Sequence, residues 1–139
     1  MRVVFDTNVV IDAVANRQPF CKEAESILLM AAERNISGFL TSNSITDIYY
    51  VVRHNLPEPD TRVIIRSILY SLEIIEVGGA DCWKALEFSM EDYEDALVAA
   101  CAVKITADCI VSNDKKFLKT DSPVRVVSSA QLLALLERS

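Results

Sequence analysis

Val3-Val4-Phe5 is a β-branched and aromatic run that stops at Asp6, and a helical stretch over residues 9–15 follows almost at once. The same succession recurs along the chain. Residues 19–35 place Ala24, Ile27, Leu28, Ala31 and Ala32 at helical spacing, with Lys22, Glu23, Glu33 and Arg34 between them. A second strand is predicted over residues 38–41 and a helix over 44–52, followed by a break at Asn55, Pro57 and Pro59 in which 57–60 reads as a surface loop. Further on come a helix over 61–72, a strand over 73–77, a Gly78-Gly79 turn into a helix around Trp83 and Leu86, and the strongest helix, 92–105. Strands over 109–111 and 124–127 and an amphipathic helix over 129–137 close the pattern. Short strands separated by helices cannot pair as hairpins, so they imply a parallel sheet covered on both faces. The expected fold is α/β, three layers in the order α/β/α, with residues 1–139 forming one domain.

Composition narrows the possible functions. A chain of 139 residues can bury about two-thirds of its unfolded surface, so its core needs no disulfide or metal staple. Cys21, Cys82, Cys101 and Cys109 form no C-x-x-C pair, which argues against a zinc site and against disulfides. The longest apolar run, residues 96–103, is far short of a membrane span, and Asp6 and Asp12 interrupt any signal-peptide core, so a cytoplasmic protein is expected. With 14 basic and 20 acidic residues, the net charge of −6 is wrong for a protein that coats nucleic acid by charge alone. A phosphate substrate would have to be met by local bases or by bound cations.

The acids fall in an informative order. Asp6 closes the first strand, Asp47 lies in the first turn of the helix after the second, and Asp114 follows the fourth across Ser112 and Asn113. In open α/β sheets ligands bind beyond the carboxyl ends of the strands, where these three belong. Asp95 opens a helix that leads into a strand, so tertiary packing has to bring it there. Each acid also has a local reading: Ser44-x-x-Asp47 resembles a capping box, Asp92 would cap the helix that Asp95 enters, and Asp114 suits a turn. Asp12, Asp92 and Glu94 are read as surface or capping groups, with Asp92 near enough to assist. An oxygen cluster without histidine suits Mg²⁺ or Mn²⁺. His54, the single histidine, lies far from these acids in sequence, and no phosphate-binding glycine loop is present.

Four segments, Val3-Val4-Phe5-Asp6-Thr7-Asn8-Val9, Ser44-Ile45-Thr46-Asp47-Ile48-Tyr49-Tyr50, Asp92-Tyr93-Glu94-Asp95-Ala96-Leu97 and Ile110-Val111-Ser112-Asn113-Asp114, resemble in order the motifs of PIN-domain ribonucleases, especially VapC-type toxins and their stand-alone relatives. The resemblance implies an acidic quartet of Asp6, Asp47, Asp95 and Asp114 with Asn8 and Ser112 in support. It also implies one or two Mg²⁺ or Mn²⁺ ions orienting a water for attack on an RNA phosphodiester. One position departs: the second acid is often Glu in the family, and Asp47 is one methylene shorter. Candidate RNA contacts are Arg53, Arg62, Arg66, Lys115, Lys116 and Lys119. A homodimer and a small antitoxin partner are further implications; Tyr49, Tyr50 and Val51 could join a dimer contact but are read first as core.

Two other functions compete. A catalytically silent binding module could keep the same fold and acids. An aspartyl-phosphate receiver domain needs a later strand ending in Lys, whereas Val77 is followed by Gly78-Gly79 and Val127 by Ser128-Ser129.

Overall fold

The computed structural model describes residues 1–138. Five parallel strands, β1 (Arg2–Phe5), β2 (Ser37–Thr41), β3 (Glu73–Ile75), β4 (Cys109–Val111) and β5 (Val126–Val127), form one sheet in the order β3-β2-β1-β4-β5. The chain first builds outward from β1 through β2 to β3, then crosses back to lay β4 on the other side of β1. That reversal opens a crevice between the carboxyl ends of β1 and β4.

Alternation along the strands sorts the core into two faces. Val3, Phe5, Leu40, Cys109 and Val111 point to one side, where α1 (Thr7–Val14), α2 (Cys21–Ala32), α3 (Ser44–Arg53), α4 (Glu58–Ser71) and α8 (Ser129–Glu137) cover them through Val10, Ile27, Ile48, Ile68 and Leu132. Val4, Phe39, Ile75 and Ile110 point to the other, beneath Val98, Ala99, Cys101 and Ala102 of α6 (Tyr93–Lys104) and Phe117 of α7 (Lys115–Lys119). Ala85 of α5 (Gly79–Ala85) packs on Ala96, Leu97 and Ala100 of α6. This is the expected α/β/α arrangement. The run of Ala in α6 lets that helix lie close to the sheet.

Several local readings change. Residues 58–60 are the first turn of α4, not a loop, because Pro lacks the N–H that a first turn leaves unpaired anyway. The five-residue α7 is too short to show periodicity in sequence; Asp114 starts it by accepting from the Lys116 amide at 2.9 Å. Asp12 is 8% exposed, not a surface group, because α1 is covered on its outer side by α2 and α3. Tyr50 is 70% exposed, not core, because the apolar stripe of α3 runs through Ile48 and Val52. Tyr49 is half-buried and donates its hydroxyl to Glu58. Among the described residues no helix is long and apolar enough to cross a membrane.

Candidate active site

β1 ends at Phe5, paired with Val111 of β4, so the next residues, Asp6 and Ser112, meet across the crevice. The Ser112 hydroxyl donates to Asp6 Oδ2 at 2.8 Å and also accepts the Asp114 amide at 3.1 Å. One buried serine thus fixes both acids. Asp6 is 7% exposed and Asp114 is exposed at the rim. Asn8 is exposed beside them on the first turn of α1.

Asp95 reaches the same place by helix direction. A helix that connects parallel strands runs antiparallel to them, so α6, which leads into β4, begins at the sheet's carboxyl edge. Asp92 caps it, accepting the Asp95 amide at 3.1 Å, and the Asp95 carboxylate makes no hydrogen bond of that kind. The capping role therefore belongs to Asp92.

The charges show how close these acids are. Burial is the largest cause pushing the Asp6 carboxyl up to about 6; the Ser112 hydrogen bond opposes it, and the negative charges of Asp114 and Glu94 add to the rise. Asp95 is pushed up to about 7, first by burial and then by Asp92, Asp6, Asp114 and Glu94. Both are like-charge and desolvation effects with no cation among their causes. Glu94 is also raised, by burial, Asp47 and Asp92. It is exposed, as its place in a helix start implies, and its charge still reaches Asp6 and Asp95 from the rim.

Asp47 stands apart. It is exposed in the first turn of α3, and the acid whose titration it affects is Glu94, not Asp6 or Asp95. The capping-box reading of Ser44 does not hold, since Asn43 is the N-cap and the Ser44 hydroxyl is shared with Thr7 at 2.7 Å and Thr41 at 2.9 Å. That buried hydroxyl chain ties the start of α3 to β2 and α1, and nothing in the sequence spacing announced it.

The bases divide into two groups. Lys115 and Lys116 are exposed immediately after Asp114. Arg53 lies at the far end of α3 from Asp47 and bonds the Leu56 carbonyl, Arg62 is paired with Glu58 at 2.5 Å, and Arg62 and Arg66 line a separate cavity with Tyr49 that none of these acids borders. Lys119 closes α7.

Among the described residues no three acid, histidine or cysteine side chains are close enough to grip one metal ion between them. Mg²⁺ commonly takes one or two carboxylates and keeps its remaining waters or substrate oxygens. One or two of Asp6, Asp95 and Asp114 at a time could meet that demand as hard oxygen donors, and no cation is among the causes that shift Asp6 and Asp95.

The model of the PIN domain family matches residues 2–116, and the chain belongs to that family. It is similar to Ribonuclease VapC1 of Aquifex aeolicus, with 29% identity over 128 residues and 88% of each chain covered. Its fold is similar to VapBC2 from Rickettsia felis bound to a promoter DNA fragment, at TM-score 0.67 and 20% identity, covering 92% of this chain and 98% of that one. It is also similar to DNA-bound VapBC from Salmonella typhimurium, at TM-score 0.69 and 14% identity, covering 93% and 98%.

Proposed function

We propose that this chain is a metal-dependent endoribonuclease acting at the crevice between β1 and β4. The observation that carries the reading is the meeting of Asp6 and Asp114 around the Ser112 hydroxyl at the strand-end crevice, with Asp95 beside them and raised by burial and by the charges of Asp92, Asp6 and Asp114, a concentration of negative charge that a divalent cation would relieve. Membership of the PIN domain family and the likeness to a protein named a ribonuclease support it.

In this reading one or two carboxylates from among Asp6, Asp95 and Asp114 would hold Mg²⁺ or Mn²⁺, the ion's other positions being water or phosphate oxygens, with Asp47 and Glu94 at the rim. When bound, the ion supplies a water of lowered pKa and offsets charge on the phosphate and leaving oxygen. The chain's own part is positioning. The Ser112 hydroxyl and the Thr7 amide both donate to the Asp6 carboxylate and fix its orientation, while Asp114 keeps one oxygen beyond that bonded to the Lys116 amide. Asn8 can donate its amide to a phosphate oxygen, and Lys115 and Lys116 offer the cations that an acidic protein must concentrate locally. Arg53, Arg62 and Arg66 lie outside this arrangement and would at most touch distal RNA.

The likeness to VapBC structures supports a role in a toxin–antitoxin pair with a small antitoxin as partner, and we infer further that the chain works in the cytoplasm as a homodimer. Purified chain should cleave RNA in millimolar Mg²⁺ or Mn²⁺ and lose that activity in excess chelator. Undiminished cleavage in chelator would overturn the metal mechanism, and a chain without activity on any RNA would point to a silent binding module.

A further inference from the structure

Beside the acids lies a cleft of about 500 Å³ bordered by Asn8 and Asp114 and, from the loop joining α1 to α2, by Arg17 and Phe20. Asp12 also lines it, 8% exposed, with its Oδ1 4.0 Å from an Arg17 guanidinium nitrogen, and the Arg17 amide donates to the Asp12 carbonyl at 3.1 Å. The backbone contact holds Arg17 at the wall, while the ion pair is long and the guanidinium half-exposed, free to turn toward an anion. Phe20 is 39% exposed, and neither the paired rings nor the ring-bound cations of the described residues involve it. Asn113 on the other wall is held in one orientation by Ser129, its amide nitrogen donating to the Ser129 hydroxyl at 2.8 Å and its oxygen accepting the Ser129 amide at 3.1 Å. It is a fixed surface.

A cation and an open aromatic ring in one cleft, continuous with carboxylates that suit phosphodiester chemistry, match the two halves of a nucleotide. A guanidinium takes a phosphate, and an aromatic face takes a base of any identity. A base inside a duplex is already stacked and cannot reach such a ring. We propose that this cleft is the subsite for one unpaired nucleotide adjoining the cut phosphate, with its base stacked on Phe20 and its phosphate held by Arg17. This rests on the ribonuclease reading and assigns Phe20 and Arg17 as the residues that grip that nucleotide.

The test uses the full chain and a fluorescent single-stranded RNA oligonucleotide of mixed sequence. Binding is measured by anisotropy in chelator and cleavage in Mg²⁺, for wild type, Phe20→Ala, Phe20→Tyr and Arg17→Gln. Phe20→Ala should weaken binding about tenfold, within the range a lost base stack produces, and raise KM with little change in kcat. Phe20→Tyr should restore both values, and Arg17→Gln should weaken binding with a shallower dependence on salt. Moving an abasic nucleotide along the RNA should find one position, next to the cut, where wild type weakens equally and Phe20→Ala has no further effect. Unchanged affinity in Phe20→Ala, or an equal loss at every abasic position, would overturn the subsite while leaving the nuclease reading intact. Wild type that neither binds nor cuts RNA would overturn both. A duplex bound and cut as well as the single strand would overturn the restriction to unpaired RNA.

Discussion

Asp95 occupies a position where two electrostatic effects disagree. A carboxylate in the first turn of a helix normally stabilises it by about 0.3–1 kcal/mol. Around Asp95, however, stand Asp92, Asp6, Asp114 and Glu94, and two like charges about 5 Å apart repel by roughly 3 kcal/mol at an effective dielectric near 20. Repulsion wins, so Asp95→Asn should leave the metal-free protein more stable by about 1–2 kcal/mol and reduce the rise in melting temperature that Mg²⁺ produces. Melts of both proteins with chelator and with Mg²⁺ check this; a destabilised variant with an unchanged metal response would remove Asp95 from the site. The pH dependence follows from the same groups. Asp6 and Asp95 titrate near 6 and 7 when folded but near 3.8 when unfolded, so the folded state binds protons more tightly. Their stabilising contribution is full below about pH 4 and is lost as pH rises through 6 to 7, about 3 kcal/mol for Asp6 alone. In chelator this contribution should make wild type melt lower at pH 8 than at pH 6, and Asp95→Asn should shrink that difference. A wild-type melting temperature equal at the two values would contradict it. In the sequence, Asp6 and Asp114 were legible as strand-end acids. Glu94 was not, because the acids that raise it come from other elements or from the turn before it.

At the level of elements, two close approaches fix where the site's supports sit. Gly38 brings β2 so near α2 and the end of α4 that an added Cβ would lie 2.5 Å from a Leu72 methyl and 2.9 Å from Ala31 Cβ. Gly38→Ala should cost about 1–3 kcal/mol by overpacking, read as a fall in denaturation midpoint at unchanged slope. On the other face, Lys104 of α6 donates to Asp81 Oδ2 of α5 and to the Glu76 carbonyl, both at 2.6 Å. Burial opposes ionisation of Asp81, but the Lys104 hydrogen bond, the Gly78 amide and the Lys104 charge outweigh it and hold the carboxyl below its usual value. A depressed acid stabilises the fold above its unfolded pKa and loses that contribution as pH falls through the folded one. Asp81→Asn should therefore destabilise the protein at pH 7 and lessen the wild type's decline on the acid side; equal acid limbs would contradict the latch. Sequence periodicity found the long helices and the buried strands because burial writes itself into spacing. It missed α7 and the first turn of α4, which depend on a single cap and on proline chemistry, and it misassigned Ser44, whose partners arrive from β2 and α1.

On the scale of the whole molecule, the sheet reversal at β1 and β4 brings Asp6, Asp95 and Asp114 together from three separate segments at one edge while leaving Tyr50, Val63, Leu69 and Tyr70 exposed on α3 and α4. That exposed apolar surface is consistent with the proposed homodimer; a monomeric mass in solution at micromolar concentration would count against it. The architecture was legible in the alternation of strands and helices, and the convergence of Asp6 with Asp114 in the switch-point rule. The separation of Asp47 from Asp6 and Asp95 was not, since it depends on where α3 lies across the crevice. The central claim is that this acid cluster carries out RNA cleavage. Its most direct measurement is the rate of RNA cleavage in Mg²⁺ by wild type and by Asp6→Asn, a near-isosteric change that leaves Ser112 a hydrogen-bond acceptor. Cleavage should fall at least about a hundredfold in the variant, while its metal-free melting temperature is equal or higher. An Asp6→Asn protein that folds and cleaves at the wild-type rate would contradict the account.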